Sequence, residues 1–181
     1  MRKLVESTFV SLDGVMSNPQ DWAPPYWDDE YTAYERRVME PVDGLLLGRA
    51  TYDGFSKSWS QRSGDWYADQ MNSLPKQVIS RGRPELTWNA QLLDGDDLVS
   101  SVRALKQRED GDILKFGTGE TDLTLLPAGL VDELHLWVFP VIAGEGGRLL
   151  EGLPITHLAL QETTRFSSGV VVLRFAGTAE R

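Results

Sequence analysis

A short apolar segment flanked by glycines places the strongest limit on the fold of this chain. Residues 44–48 read Gly-Leu-Leu-Leu-Gly, with no polar side chain to face solvent. A strand that is apolar on both faces has to be covered on both faces, as happens in a parallel sheet flanked by helices. The segment therefore predicts a central strand of an α/β sheet.

Predicted strands and helices alternate around this segment. Strands are predicted at residues 2–10, 76–80, 86–90, 112–116 and 133–138, and helices at 28–40, 49–55, 65–73, 96–107, 120–126 and 148–151. Two last strands, at 156–166 and 169–176, are separated by Ser167-Ser168-Gly169, which is typical of a hairpin turn. The pattern predicts a single α/β domain, residues 1–181, with a mostly parallel central sheet flanked by helices and an antiparallel C-terminal hairpin.

Composition excludes several classes of function. The chain has no cysteine and only two histidines, His135 and His157, so we expect neither disulfides nor a metal site. A net charge of −9 disfavours a nucleic-acid partner. No apolar run is long enough to cross a membrane, and the basic start is followed by residues too polar for a signal peptide. We expect a cytoplasmic protein.

Three predicted strand ends carry residues suited to phosphate. Gly117, Thr118 and Gly119 join a strand to a helix, where glycines admit a pyrophosphate and a helix start offers free amides. The alternative is an ordinary strand-to-helix turn. Glu120, which follows, brings a negative charge close to this place, unless its side chain turns outward.

The other two strand ends add arginines and hydroxyls. Gly48, Arg49 and Thr51 lie at a second strand-to-helix junction, where they could hold phosphate; the alternative is a solvated arginine and a threonine bonded to its own helix turn. Ser80 and Arg81 end a third strand and suit a 2′-phosphate, because a guanidinium makes charged hydrogen bonds of matching geometry. The alternative there is a polar turn.

Together, these motifs resemble the NADPH-binding elements of dihydrofolate reductase-like proteins. Further motifs narrow the resemblance to the reductase domain of the bifunctional riboflavin-biosynthesis enzyme and its stand-alone relatives. Six motifs carry it over most of the chain, in this order: Ser11–Gly14, Gly48–Tyr52, Ser80–Arg81, Gly117–Gly119, Gly129–Leu134 and Pro140–Leu150.

The resemblance implies a fold, a cofactor and an activity. The fold is dihydrofolate reductase-like, and the cofactor is NADPH. The implied reaction is that of 5-amino-6-(5-phosphoribosylamino)uracil reductase, in which a hydride opens a ribose ring to give a ribitylamino pyrimidine. The cofactor-binding residues implied are Gly48, Arg49 and Thr51 at the phosphates, Ser80 and Arg81 at the 2′-phosphate, and Gly117, Thr118 and Gly119 at the pyrophosphate. We expect a small-molecule substrate and a homodimer.

Two acidic residues are the candidate catalytic groups. Asp13 and Glu145 each adjoin glycine near a predicted strand end, where a carboxylate could bind substrate hydroxyls or relay a proton. The alternatives are a turn-forming aspartate and a solvated loop acid. His135, within a predicted strand, is interpreted as a sheet histidine with its hydrogen bonds satisfied. The loop tryptophans, which are Trp22, Trp27, Trp59 and Trp66, either line a cleft or dimer surface or roof the core.

Departures from the relatives keep other functions open. With no cysteine, the zinc deaminase that usually precedes the riboflavin reductase is excluded. No single acid on the first helix matches the pterin-binding acid of dihydrofolate reductases, and no basic cluster for a ribose phosphate is evident. The alternatives to an NADPH-dependent oxidoreductase of this type are an enzyme with another substrate, a non-catalytic NADPH-binding or regulatory module, and a structural dimerisation domain.

Overall fold

The computed structural model describes residues 1–108 and 110–177, and it is built around one eight-stranded sheet. The strands run in the order β4-β3-β2-β5-β1-β6-β8-β7 across the sheet. Their bounds are Leu4–Ser11 (β1), Val42–Gly48 (β2), Lys76–Ser80 (β3), Ala90–Asp94 (β4), Asp112–Phe116 (β5), Glu133–Phe139 (β6), Ala159–Arg165 (β7) and Val171–Ala176 (β8).

Strand direction divides the sheet into two parts. The strands from β4 to β6 are parallel, whereas β8 pairs antiparallel with both β6 and β7. β2 lies inside the parallel part, between β3 and β5, and Leu45, Leu46 and Leu47 are fully buried. The predicted fold class is confirmed, including the strand that the apolar segment indicated and the C-terminal hairpin.

Within the described part of the chain, five α-helices cover the two faces of the sheet. They span Asp29–Met39 (α1), Arg49–Trp59 (α2), Trp66–Ser73 (α3), Leu98–Lys106 (α4) and Asp122–Leu125 (α5). Asp28, Asp65 and Asp97 cap α1, α3 and α4, each accepting a hydrogen bond from an amide three residues later. Among the described residues, no helix is both long enough and apolar enough to cross a membrane.

Two apolar cores result, one on each face of the sheet. The larger core joins α1, α2 and α3 to the sheet and includes Trp137 and Phe139. The smaller core joins α4 and α5 to the opposite face and includes Leu46 and Ile113. Because side chains alternate along each strand, Leu45 and Leu47 belong to the first core and Leu46 to the second.

Three local predictions are wrong. The strand predicted at 86–90 begins only at Ala90, because Trp88 and Asn89 adopt left-handed backbone with φ of 55° and 53°. No helix forms at 148–151, where Leu150 has a φ of 50°. The helix predicted after Gly119 is only the four-residue α5, so little helix dipole is available there.

Candidate active site

A cleft of about 900 Å³ opens where β2, β3, β4 and β5 end. Carboxyl ends of parallel strands are the usual ligand-binding edge of an α/β sheet. All eight residues predicted for the cofactor line this cleft: Gly48, Arg49, Thr51, Ser80, Arg81, Gly117, Thr118 and Gly119. The structure therefore brings together three motifs that are far apart in the sequence, while binding of the cofactor by them stays a prediction.

The start of α2 is an uncapped helix terminus in the cleft. Gly48 is its N-cap and has no side chain to accept a hydrogen bond from the first turn. Nothing lies within 4 Å of a Cβ built on Gly48, so the position is open. The free first-turn amides of an eleven-residue helix provide a partial positive charge that suits an anion.

Arg49 is already engaged by a neighbour. Its Nε lies 2.8 Å from both carboxylate oxygens of Asp53, one helical turn later, and about half of each side chain is exposed. This pair holds the guanidinium beside the helix start but partly offsets its charge. Sequence reasoning missed Asp53, although the i, i+4 spacing with Arg49 was the signal that could have found it.

The end of β3 presents a more exposed arginine. Arg81 is 74% exposed at its side chain, and its nearest anion is Glu120 Oε1, 3.6 Å from Nη2. The Ser80 hydroxyl accepts a hydrogen bond from the Gly82 amide at 3.1 Å. Glu120 thus faces Arg81 rather than the start of α5, in a contact too exposed to hold the arginine firmly.

Acidic residues also line the cleft. Four acidic residues, Asp53, Asp96, Asp97 and Glu120, are among the lining residues, as are three basic ones, Arg49, Arg81 and Lys115. Any attraction for a phosphorylated ligand must therefore come from focused groups, namely the arginines and free backbone amides, and not from the overall charge. Asp96, Asp97 and Lys115 were not predicted as site residues.

The turn from Gly117 to Gly119 needs glycine and leaves space. Gly117 has a φ of +70°, a left-handed conformation that glycine adopts without steric cost. A Cβ built on Gly117 or Gly119 would meet nothing within 4 Å. Both of their amides have acceptors, the Ser7 carbonyl and the Asp122 carboxylate respectively.

Asp13 does not line the cleft, and its carboxylate is hydrogen-bonded to a loop. Its carboxylate accepts hydrogen bonds from the Ser11 hydroxyl at 2.6 Å and from the amides of Ala143 and Gly144 at 3.0 and 2.8 Å. These bonds lower the pKa of Asp13 to about 2. Arg148 adds a hydrogen bond to the Asp13 carbonyl at 2.7 Å. The ionised carboxylate therefore ties the glycine-rich loop to the end of β1.

Glu145 lies in that same loop with its side chain exposed. Its amide donates to the Ala143 carbonyl at 3.1 Å. Like Asp13, it is not among the residues that line the 900 Å³ cleft. The structure thus brings the two candidate catalytic acids to one loop at the end of β1, apart from the cofactor motifs. Their catalytic roles stay predictions.

A buried acid on the first helix was not singled out by the sequence. Glu35 is 2% exposed, and its Oε1 accepts a hydrogen bond from the Tyr31 hydroxyl at 3.3 Å. Burial raises the pKa of Glu35 to about 7. Two other acids of this region serve the fold, since Asp28 caps α1 and Glu30 accepts hydrogen bonds from Ser167.

Most of the loop tryptophans, together with His135, contribute mainly to the packing of the protein. Trp22, Trp59 and Trp66 pack against the larger core, so they roof it, whereas Trp27 is 52% exposed. His135 is buried, with ring nitrogens 3.3 Å from the Tyr34 hydroxyl and from Glu133, and its pKa is lowered by burial. The interpretation as a satisfied sheet histidine is confirmed.

Solved structures of reductases share this fold. A pyrimidine reductase-like protein of Corynebacterium diphtheriae is 13% identical with a TM-score of 0.69, covering 99% of this chain and 93% of that one. The deaminase/5-amino-6-(5-phosphoribosylamino)uracil reductase of Thermotoga maritima is 13% identical with a TM-score of 0.70, covering 97% and 56%. Dihydrofolate reductase of Enterococcus faecalis, complexed with NADP(H), is 13% identical with a TM-score of 0.64, covering 98% and 97%.

Sequence comparison identifies the family of this chain more specifically than its fold does. The protein YyaP of Bacillus subtilis (strain 168), described as uncharacterized, is 29% identical over an alignment of 182 positions that covers 94% of this chain and 92% of that protein. The sequence profile of the RibD C-terminal domain matches residues 2–172, which include all six motifs and every strand from β1 to the start of β8. The resemblance inferred from the motifs is confirmed, and the chain belongs to the RibD C-terminal domain family.

Proposed function

We propose that this chain is an NADPH-dependent oxidoreductase that reduces a pyrimidine or pterin-like small molecule. The observation that supports this most is the meeting of the three cofactor motifs in one cleft. Family membership adds support for a reductase, and the riboflavin precursor 5-amino-6-(5-phosphoribosylamino)uracil is the first substrate to test.

The cleft residues fit a dinucleotide. Gly48, Gly117 and Gly119 leave room that a side chain would fill, and the start of α2 offers unpaired amides for phosphate oxygens. Arg81 and the Ser80 hydroxyl supply charge and a donor for a 2′-phosphate, which NADH lacks. The bound cofactor would supply a hydride from its reduced nicotinamide.

The protein's own residues would position the reactants. We assign Asp13 the role of fixing the glycine-rich loop, since its hydrogen bonds to the amides of Ala143 and Gly144 keep it ionised at neutral pH. An ionised carboxylate of this kind accepts hydrogen bonds but does not donate a proton. We propose that Glu145, which is carried on this loop, contacts the substrate.

Comparison of NADPH with NADH tests the cofactor assignment. We expect micromolar NADPH binding and weaker NADH binding, measured by quenching of tryptophan fluorescence. Arg81→Ala should weaken NADPH binding by about 10- to 100-fold, because a charge-assisted hydrogen bond is lost, and should leave NADH binding unchanged. Arg83→Ala is the matched control, since Arg83 is exposed in the same turn but does not line the cleft.

Each result has a distinct meaning. An unchanged preference in Arg81→Ala contradicts the 2′-phosphate assignment, whereas the absence of any dinucleotide binding contradicts the proposed cofactor. Turnover with dihydrofolate, compared with turnover of the phosphoribosylamino-pyrimidine, then identifies the substrate class.

A non-catalytic NADPH-binding module is the second candidate. It is favoured by the binding of the Asp13 carboxylate to the amides of the glycine-rich loop, which leaves no assigned proton donor. Steady NADPH oxidation with any pyrimidine or folate substrate would refute it.

We also propose a homodimer formed through the antiparallel end of the sheet. On the face opposite Trp137, the side chains of Leu136, Val138, Leu173 and Phe175 are only partly buried, and Leu160 beside them is 53% exposed. An uncovered apolar sheet face of this kind suits a second copy. Sedimentation should show a dimer that Leu160→Glu weakens and the control Gln161→Glu does not; a monomeric wild type would refute the proposal.

A further inference from the structure

Three ionisable side chains are buried together beneath the cleft. Glu6 on β1, Lys115 on β5 and Asp122 on α5 are each between 0 and 2% exposed. Glu6 and Lys115 are register partners on adjacent parallel strands, so their side chains share the sheet face that α5 covers. None of the three was predicted as a site residue.

The cluster binds both ends of the Gly117–Gly119 turn. Lys115 Nζ donates to the Gly117 carbonyl at 2.6 Å and to Asp122 Oδ2 at 2.8 Å. The same Asp122 oxygen accepts a hydrogen bond from the Gly119 amide at 2.6 Å. One buried ion pair therefore sets the conformation of the turn from beneath.

Holding the turn in this way leaves other amides free. Within residues 1–108 and 110–177, the amides of Thr118, Glu120 and Thr121 have no intramolecular acceptor, and all three residues line the cleft. Glu120 and Thr121 are adjacent, and successive unpaired amides form a concave site for anions such as phosphate. The conformation of the turn therefore determines whether these donors converge.

Glu6 places a second carboxyl group near the single ammonium group of Lys115. Glu6 Oε2 lies 3.7 Å from Lys115 Nζ, and neither Glu6 oxygen has a hydrogen-bond partner. The described charged groups that face it are Lys115 from β5 and Asp122 from α5, while its register partner on β6 is Leu134. Burial raises the pKa of Glu6 well above its usual value, with Lys115 opposing and Asp122 reinforcing the shift.

We propose that Lys115 and Asp122 are positioning residues that hold the Gly117–Gly119 turn for the pyrophosphate of the dinucleotide, and that ionisation of Glu6 releases the turn. The inference rests on the proposed NADPH binding. While Glu6 is protonated, the cluster is one neutral ion pair and Lys115 serves the turn. When Glu6 ionises, a second buried carboxylate competes for the same ammonium, because buried charge has to be paired.

The sign of the pH dependence follows from the direction of the pKa shift. Because burial raises the pKa of Glu6, its neutral form persists to a higher pH than that of a solvent-exposed glutamate. Affinity for the dinucleotide should therefore be constant below the pKa of Glu6 and fall as the pH rises through it.

Cofactor affinity of three variants tests the proposal. Lys115→Met and Asp122→Asn should weaken NADPH and NADH by the same factor, at least about 10-fold, since both cofactors carry the pyrophosphate. Glu6→Gln mimics the protonated acid, so it should bind as the wild type at pH 6 and lose the alkaline fall. Lys76→Met is the control, because Lys76 is equally buried but begins β3, at the opposite end of the sheet from the cleft.

The readouts separate positioning from general stability. Variants are first compared by circular dichroism and thermal unfolding, and dissociation constants are then measured from pH 6 to pH 9.5. Wild-type affinity in Lys115→Met or Asp122→Asn, or an alkaline fall that persists in Glu6→Gln, would overturn this inference alone. If Lys115→Met and Asp122→Asn do not fold, the pH profile of the isosteric Glu6→Gln still tests the inference. Absence of dinucleotide binding by the wild type would overturn the proposed function and this inference with it.

Discussion

Replacement of Glu35 by glutamine should remove a pH-dependent loss of stability. Glu35 is 2% exposed on α1, and burial raises its pKa from 4.5 to about 7. A raised pKa means that the folded protein binds this proton more tightly than the unfolded chain does. The contribution of Glu35 to stability is therefore complete below about pH 4.5 and is lost as the pH rises towards 7.

The size of the effect follows from that pKa. A difference of one pKa unit corresponds to about 1.4 kcal/mol, so ionised Glu35 costs the folded state about 3 kcal/mol in total. Of this, about 2 to 3 kcal/mol should be lost between pH 5 and pH 8, because part of the loss lies below pH 5. Glutamine keeps the oxygen that accepts the Tyr31 hydrogen bond but cannot ionise.

Urea unfolding at pH 5 and pH 8 measures this difference directly. From pH 5 to pH 8, the free energy of unfolding of the wild type should fall by about 2 to 3 kcal/mol more than that of Glu35→Gln. Contributions from other ionisable groups cancel in this comparison. Glu40→Gln is the control at the C-cap of the same helix, since Glu40 is exposed, and its profile should match the wild type. Equal pH profiles for the wild type and Glu35→Gln would refute the assignment of a raised pKa to Glu35.

Three further substitutions test local parts of the structure. Gly95→Ala should destabilise the protein and weaken NADPH binding, since the new Cβ would lie 2.9 Å from the backbone of β3. Its control, Gly54→Ala on the open surface of α2, should stabilise the protein by up to about 1 kcal/mol. Urea unfolding would check both variants, and equal stabilities of the two would contradict the close packing at Gly95. Tyr52→Phe should cost about 1 to 3 kcal/mol in the same assay, because the hydroxyl pairs with both backbone groups of Thr87, and a neutral effect would contradict those bonds. Asp13→Asn should increase proteolysis within residues 142–147 in timed digests, and wild-type cleavage rates would show that the carboxylate does not hold this loop.

The parts of the fold that could be predicted are those encoded locally. The segment at 44–48 contains only apolar residues and glycine, so its composition alone predicts its burial. The cofactor motifs each combine a strand end with glycine or arginine. Because the carboxyl ends of parallel strands meet at one edge, predicting the sheet also predicted that Gly48, Ser80 and Gly117 would converge. The strand at 86–90 failed because tertiary contacts hold Trp88 and Asn89 in left-handed backbone.

Long-range partners could not be predicted. Asp13 is bound by amides about 130 residues away, so its sequence neighbours suggested a catalytic or turn-forming acid, whereas the structure has one bonded to a distant loop. Lys115 lies between Leu114 and Phe116 in a buried strand, which indicates an unusual lysine but not its partners. One partner, Asp122, follows seven residues later on α5, whereas the other, Glu6 on β1, lies beside Lys115 only because of the strand order.

Crystallography of the protein soaked with NADPH would test the central claim most directly. We expect one dinucleotide across the cleft, with phosphate groups at the start of α2 and at Gly117–Gly119 and the 2′-phosphate at Ser80 and Arg81. A dinucleotide bound elsewhere, or a cleft that stays empty at saturating NADPH, would contradict it.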